Sequence, residues 1–358
     1  MEYRPIMSGQ RSSPSAMVMR GVLRLASIPY GIAVRFRNRQ YDHGVKEIHR
    51  CGVPVISVGN LTTGGTGKTP IVCFLATWFR ERGIRVAIVS RGYGRGDDDS
   101  NDEAKELHAR LPDVPHVQDP DRVEAARVAV EELDSQVILM DDGLQHRRLH
   151  RDLNLVVIDA TCPFGYGYVL PRGLLREPML GLRRADVVVI SRCHSVQESD
   201  LAQIEATIEA TQPSIPIVRS HHQPAQFLEY PDTKVPLDTI DGELVGVLSA
   251  IGNPEAFEQT VRDCGGEVVD PTRLPDHDAY SPETVKGLQR WAQSLDERVR
   301  HVICTHKDLV KLQADRLGGR RLLALQIELT VAAGNDFLNE KLEQIAALAA
   351  GERNDWDA

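Results

Sequence analysis

Apolar and polar residues are arranged along this chain in blocks. Short runs of β-branched and aliphatic residues, Val53–Gly59, Val86–Ser90, Val137–Asp141, Leu153–Asp159 and Ala185–Ser191, are hydrophobic almost throughout. A strand with one wet face alternates with period two, whereas a strand covered on both faces has no need to, and these runs read as the second kind. Segments with helical periodicity lie between them. After the first run, Ile71, Leu75, Trp78 and Phe79 fall on one side of a helix that Gly83 ends. Strand and helix alternating in this way predict βαβ units, hence a parallel sheet with helices on both faces.

Beyond about residue 215 the pattern changes. Ile217–His221 leads into a Pro-containing stretch, and a matching run, Leu322–Thr330, returns much later. The runs Leu244–Leu248, Glu267–Val269 and Val302–Thr305 between them predict a smaller α/β domain joined through a two-stranded connector. A last helix, Asp336–Ala350, is expected to pack back on the first domain.

At the other end, Val18, Val22, Leu25, Ile32 and Phe36 recur at helical spacing, with Arg20, Arg24, Arg35, Arg37 and Arg39 nearby. Only ten residues separate Arg24 from Arg35, against the ~20 that span a bilayer. The expectation is a segment that does not cross but lies in the membrane interface, its arginines toward anionic headgroups. The alternative is a helix packed on the sheet. Pro29 should break or kink it in either case.

Composition narrows the function classes. The 358 residues suffice for two domains with separate cores, and 42% hydrophobic with 26% charged residues is ordinary for a globular protein. The net charge of −9 is uneven: the first fifty residues carry +6, leaving −15 for the rest. An acidic body excludes general nucleic-acid binding, which needs a broad basic face, and points to a small basic region facing an anionic surface. Nothing in the pattern calls for a protein partner. The six cysteines form no CxxC pair and read as buried, reduced thiols, and no signal peptide is expected.

The strongest chemical signal is Gly59-Asn-Leu-Thr-Thr-Gly-Gly-Thr-Gly-Lys-Thr-Pro70, directly after a strand and opening a helix. In Thr62, Thr63, Gly64, Gly65, Thr66 and Gly67, small residues let successive backbone N–H groups turn inward around a polyphosphate. Lys68 reaches its terminal phosphates and the Thr69 hydroxyl ligates Mg²⁺. The first glycine of the usual G-x-x-x-x-G-K-[ST] pattern is replaced by Thr62. Asp141 and Asp142 close an apolar strand, the usual Mg²⁺ and water side of such a site. The fold class that follows is α/β: a P-loop NTPase-like parallel-sheet domain over 41–216, behind an N-terminal tail and interfacial segment over 1–40. Connector and smaller domain occupy 217–332, and the C-terminal helix and acidic tail 333–358. Arg91, Arg122 and Arg176 stand beside motifs, where guanidinium forks suit phosphates. Gln145 and His146 follow the paired Asp residues on a loop at a strand's C-terminal end; ligand contact and a structural cap are both open for them.

These motifs, with Ser-Arg-Gly-Tyr-Gly-Arg (90–95), Asp-Pro-Asp-Arg (119–122), Asp-Asp-Gly-Leu-Gln-His-Arg-Arg (141–148), Leu-Pro-Arg-Gly-Leu-Leu-Arg-Glu-Pro (170–178), Ala-Ile-Gly-Asn-Pro-Glu-Ala-Phe (250–257), Leu-Pro-Asp-His (274–277) and Thr-His-Lys-Asp (305–308), resemble the tetraacyldisaccharide 4′-kinase family. The resemblance implies transfer of the ATP γ-phosphate, with Mg²⁺, to the 4′-hydroxyl of an acylated glucosamine disaccharide 1-phosphate in lipid A biosynthesis. It implies a peripheral enzyme on the cytoplasmic face of the inner membrane. It also implies that Asp102, working with His277 across two domains, takes the hydroxyl proton. Mg²⁺ ligation stays open among Thr69, Asp141, Asp142, Glu103 and Glu177. Three departures stand out: Asn101 where the family has Gly, His306 where it has Glu, and Asp278 where it has a second His, which leaves His277 as the histidine there. The reading from another class is a membrane-associated regulatory P-loop ATPase that modifies no small molecule.

Overall fold

A computed structural model describes residues 4–92, 102–275 and 278–351; of Arg4, Asp102, Glu103 and His222 it describes the backbone alone. The chain divides into two compact units. The larger holds residues 1–92, 113–221 and 330–358, and the smaller 93–112 and 222–329.

Seven strands build the sheet of the larger unit: β1 Val55–Asn60, β2 Val86–Ser90, β3 His116–Gln118, β4 Val137–Asp141, β5 Leu153–Asp159, β6 Val187–Ser191 and β7 Ile217–Glu229. They lie in the order β7-β6-β5-β1-β4-β2-β3 and every neighbouring pair is parallel. All residues of β1, β2, β4, β5 and β6 are buried, as near-continuous hydrophobic runs require when helices cover both faces. The helix Lys68–Glu81 buries Ile71, Leu75, Trp78 and Phe79, the stripe expected of it. The fold class expected from the sequence is therefore correct. The strand it misses is β3, whose three residues are only half-buried and follow Pro115, too short to leave a pattern.

The smaller unit carries β8 Thr233–Val235, β9 Leu244–Ser249, β10 Glu267–Arg273, β11 His301–Thr305, β12 Arg316–Leu317 and β13 Arg320–Ala333. Here the order is β10-β9-β11-β13, again parallel. β10 contains Pro271 and shifts register between Val269 and Thr272, which an edge strand tolerates. β7 and β13 neighbour one another, and each begins in one unit and ends in the other.

Two features differ from the sequence reading. The helix Asp102–Arg110, placed by sequence in the first domain, groups with the smaller unit, where it packs on the helix His306–Leu312. The N-terminal segment is not broken at Pro29: one helix runs from Pro14 to Asp42. Pro29 is exposed, so its missing N–H strands no buried carbonyl on the seam side. Bonds from Ser27 and Tyr30 to residues 169 and 176 hold the helix on either side of it.

Candidate active site

Each apolar strand of the larger sheet ends in a polar residue. Asn60, Ser90, Asp141, Asp159 and Ser191 close β1, β2, β4, β5 and β6, all buried. The strands are parallel, so these residues share the C-terminal edge of the sheet, where open α/β sheets bind ligands.

The glycine-rich loop leaves that edge from β1. Gly64 (φ +107°) and Gly67 (φ +82°) adopt left-handed conformations that strain any other residue, and Gly67 caps the helix that Lys68 opens. A Cβ on Gly59 would lie 2.5 Å from the Leu144 backbone nitrogen, so β1 passes hard against the turn after β4. Neighbouring segments pin the loop. Thr63 N–H donates to Leu174 O at 2.8 Å and Arg176 N–H to Leu61 O at 2.7 Å. From β6, Ser191 Oγ donates to Thr66 O at 2.8 Å. The Thr66 hydroxyl itself is buried with no hydrogen-bond partner among the described residues.

Cations converge in front of the loop. Lys68 Nζ lies 3.3 Å from Asn60 Oδ1 and 3.4 Å from Asp142 Oδ1. Arg176 Nη1 meets both Asp142 oxygens, at 2.8 and 2.6 Å. Burial pushes the Asp142 carboxyl up, but Lys68 and Arg176 outweigh it and hold it below the usual carboxylate range. Asp141 Oδ1 accepts the Asp142 N–H at 2.9 Å, which fixes the turn.

Gln145 Nε2 donates to Asn60 O and to Glu177 Oε1, each at 2.9 Å. Glu177 has 0% exposure, and its other oxygen receives Arg184 Nη2 at 2.6 Å and Asn38 Nδ2 at 3.1 Å. A carboxylate so deep must be paired, and both oxygens of this one are hydrogen-bonded. Arg122 is buried, with Nη1 on Asp119 O at 3.1 Å and Nε without a partner among the described residues. Burial and then the Arg122 charge pull His146 down to about 4, so its imidazole is neutral at neutral pH, and its Nε2 is likewise buried and unpartnered.

Most sequence candidates therefore meet at one edge of the larger unit. Thr62 to Gly67 form the loop, Lys68 and the half-buried Thr69 start its helix, and Asp141, Asp142, Gln145, His146, Arg122 and Arg176 gather around it. Arg91 is exposed just beyond β2. Glu177, the remaining described carboxylate of the Mg²⁺ candidates, takes hydrogen bonds from Gln145, Arg184 and Asn38. His277 and the side chains of Asp102 and Glu103 lie outside the described residues. Asn60 and Ser191 escaped the sequence reading, although a polar residue closing an apolar run was the available signal.

The donor set fits a magnesium nucleotide. Glycine-only turns, an orphaned buried hydroxyl and two cations suit a polyphosphate. Among the described residues no three His, Cys, Asp or Glu side chains gather into a metal cage. Mg²⁺ in phosphoryl-transfer sites uses one or two carboxylates plus phosphate oxygens, which Asp141, Asp142 and Thr69 can supply.

Comparison with known proteins gives the family. The model of the family described as tetraacyldisaccharide-1-P 4′-kinase matches residues 19–347. A tetraacyldisaccharide 4′-kinase of Anaeromyxobacter sp. (strain Fw109-5) is 36% identical over 362 residues, covering 96% of each chain. One from Geobacter sulfurreducens is 38% identical over 331 residues, 87% of this chain and 90% of the relative. Among solved structures, LpxK from Aquifex aeolicus, described as an apo form in complex with ATP, superposes with a TM-score of 0.73 at 29% identity, covering 91% of this chain and 99% of that one. Loop, paired aspartates and arginines fall within the matched span, which runs through both units, and the chain belongs to the tetraacyldisaccharide-1-P 4′-kinase family.

Proposed function

We propose that this chain transfers the γ-phosphoryl group of ATP to the 4′-hydroxyl of a tetraacyldisaccharide 1-phosphate in lipid A biosynthesis, with Mg²⁺. The observation that carries the reading is the convergence of Lys68 and Arg176 on Asp142 in front of the glycine loop. Phosphoryl transfer asks a protein mainly for positioning and for charge placed where the phosphoryl oxygens gather charge. The loop N–H groups and the helix N-terminus hold the polyphosphate, and Lys68 faces its terminal phosphates. Thr69, Asp141 and Asp142 hold Mg²⁺, which neutralises phosphate charge when bound. Arg176 anchors Asp142, while Arg122, Arg91 and neutral His146 contact phosphate and sugar oxygens. Asp102 together with His277 accepts the hydroxyl proton. The regulatory ATPase reading is not favoured, because the family match runs through both units.

The membrane face belongs to the same reading. The Pro14–Asp42 helix leaves Val18, Val22, Leu25, Ile28, Ile32 and Phe36 exposed as one stripe. At 29 residues, with mean hydropathy 1.3 in its apolar window, it is long and apolar enough to cross a bilayer. Crossing would pull Ser27, Tyr30 and Asn38 from their partners in the larger unit. Contact in the plane of the interface, on the cytoplasmic face of the inner membrane, keeps these bonds and still buries the stripe. Two measurements test the reading. ATP turnover should depend strongly on the acylated disaccharide, and equal turnover without it would support the regulatory ATPase. On single-turnover rates, Asp102→Ala with His277→Ala should cost little more than the worse single variant; multiplicative losses would separate their roles.

A further inference from the structure

The N-terminal helix meets the larger unit along a narrow seam. Ser27, Gly31 and Val34 are buried at i, i+4 and i+7, while Leu25, Ile28, Ile32 and Phe36 opposite are 55–69% exposed. Two polar side chains on the seam reach beyond it. Tyr30 OH donates to Arg176 O at 2.8 Å, and Asn38 Nδ2 donates to Glu177 Oε2 at 3.1 Å. Arg147 Nη1 secures the same helical turn through Asn38 O at 3.0 Å and Asp42 Oδ1 at 2.8 Å.

What Tyr30 and Asn38 hold is the segment that builds the phosphate site. On its other edge Leu174 O and Arg176 N–H bond Thr63 and Leu61 of the loop. The peptide groups on both sides of the Arg176 Cα are therefore fixed, one to the loop and one to the helix. That places the root of a long guanidinium side chain whose tip grips Asp142. Burial pushes the Tyr30 phenol up, so it stays a proton donor across the working pH range. Glu177 Oε1 orients Gln145 while Asn38 shares Oε2 with Arg184, so the amide of Asn38 helps to satisfy the buried carboxylate that sets Gln145.

We propose that Tyr30 and Asn38 are positioning residues for phosphoryl transfer: through Arg176 and Glu177 they set Asp142 and Gln145, so the helix facing lipid also sets the phosphate site. The proposal rests on the kinase reading above. It is tested on the full chain with Tyr30→Phe, Asn38→Ala and Asn38→Asp, measuring kcat, both KM values, Tm and sedimentation with vesicles of phosphatidylglycerol and phosphatidylethanolamine. A net hydrogen bond is worth about 1 kcal/mol, and one to a charged group more, so kcat should fall about fivefold for Tyr30→Phe and about tenfold for Asn38→Ala. Asn38→Asp, which sets a second carboxylate against Glu177, should fall at least as far as Asn38→Ala. Vesicle binding and acceptor KM should stay near wild type, and Tm should fall by only a few degrees for Tyr30→Phe and Asn38→Ala, leaving the protein folded at the assay temperature. Asn38→Ala added to Glu177→Gln should cost little more than Glu177→Gln alone, because Asn38 acts through Glu177.

Normal kcat in Tyr30→Phe and Asn38→Ala overturns the proposal. So does a loss that merely follows falling Tm or vesicle binding, the mark of a helix that only attaches the protein. If Tyr30→Phe does not fold, the half-buried Asn38 decides between the outcomes. Failure of the kinase reading is separate: wild-type protein would then show no acceptor-dependent turnover at all.

Discussion

Lys68→Ala removes the cation nearest the terminal phosphates. Its ammonium lies 3.4 Å from Asp142 and its side chain is 13% exposed, so its charge acts where solvent screens poorly. Two unit charges about 4 Å apart interact by about 4 kcal/mol near a protein surface. Losing one preorganised group at a developing charge costs about 10²–10³ in kcat, or about 3–4 kcal/mol. The fold should survive, since Arg176 still meets both Asp142 oxygens and the carboxylate keeps a partner. The sign of the pH effect follows from the same pair. Asp142 sits below its ordinary range with Lys68 as the foremost lowering cause, so in the variant it protonates at higher pH. The stability that its ionised form contributes is then lost earlier as pH falls. The assay is single-turnover transfer of label from ATP to the acylated disaccharide, with nucleotide binding and Tm measured on the same preparation. A folded Lys68→Ala protein within threefold of wild-type kcat would refute the phosphate-loop assignment.

Three further outcomes follow. Gly59→Ala places a Cβ 2.5 Å from the Leu144 backbone nitrogen; overpacking of this kind costs about 1–3 kcal/mol, so Tm and kcat should both fall, and unchanged kcat would mean that this close approach does not set Asp142 and Gln145. Replacing Leu25, Ile28 and Ile32 with Ser changes side chains that are 69%, 55% and 58% exposed; at roughly 1 kcal/mol each, partition onto anionic vesicles should weaken by about 100-fold with ATP binding intact, whereas loss of soluble protein would favour a core role for the stripe. His146, held down near 4 by burial, is neutral when folded but binds a proton when unfolded below about 6.5. Its contribution is complete above pH 6.5 and is lost as pH falls from there toward 4, so His146→Gln should flatten that part of the stability curve, and an unchanged acid limb would contradict the burial argument.

How much the sequence revealed depends on how local the cause was. β2, β4 and β5 begin and end where their apolar runs do, because strands covered on both faces carry hydrophobicity without interruption. The loop was legible for a similar reason: its glycines answer a backbone demand at Gly64 and Gly67 that no other residue meets. The bonds that hold Glu177 were not legible, because a carboxylate beside a motif looks the same in sequence whether or not it is buried against Arg184. Its role depends on Arg184, Gln145 and Asn38, which are scattered through the chain. Pro29 carries the local instruction to break a helix, and tertiary bonds from Ser27 and Tyr30 override it. The helix of Asp102 joins the smaller unit through packing on His306–Leu312, roughly two hundred residues away in sequence, which no local pattern announces.

The central claim is that the chain moves the γ-phosphoryl group of ATP onto one hydroxyl of a lipid-linked sugar. The most direct measurement incubates the full-length protein with γ-labelled ATP, Mg²⁺ and tetraacyldisaccharide 1-phosphate in detergent micelles, then locates the label by mass spectrometry and phosphorus NMR. The account predicts one new phosphomonoester per disaccharide, at the 4′ position, formed in step with ADP and about 10²–10³ times more slowly with Lys68→Ala. ADP and inorganic phosphate released at the same rate with or without acceptor, with no label in the lipid, would contradict it.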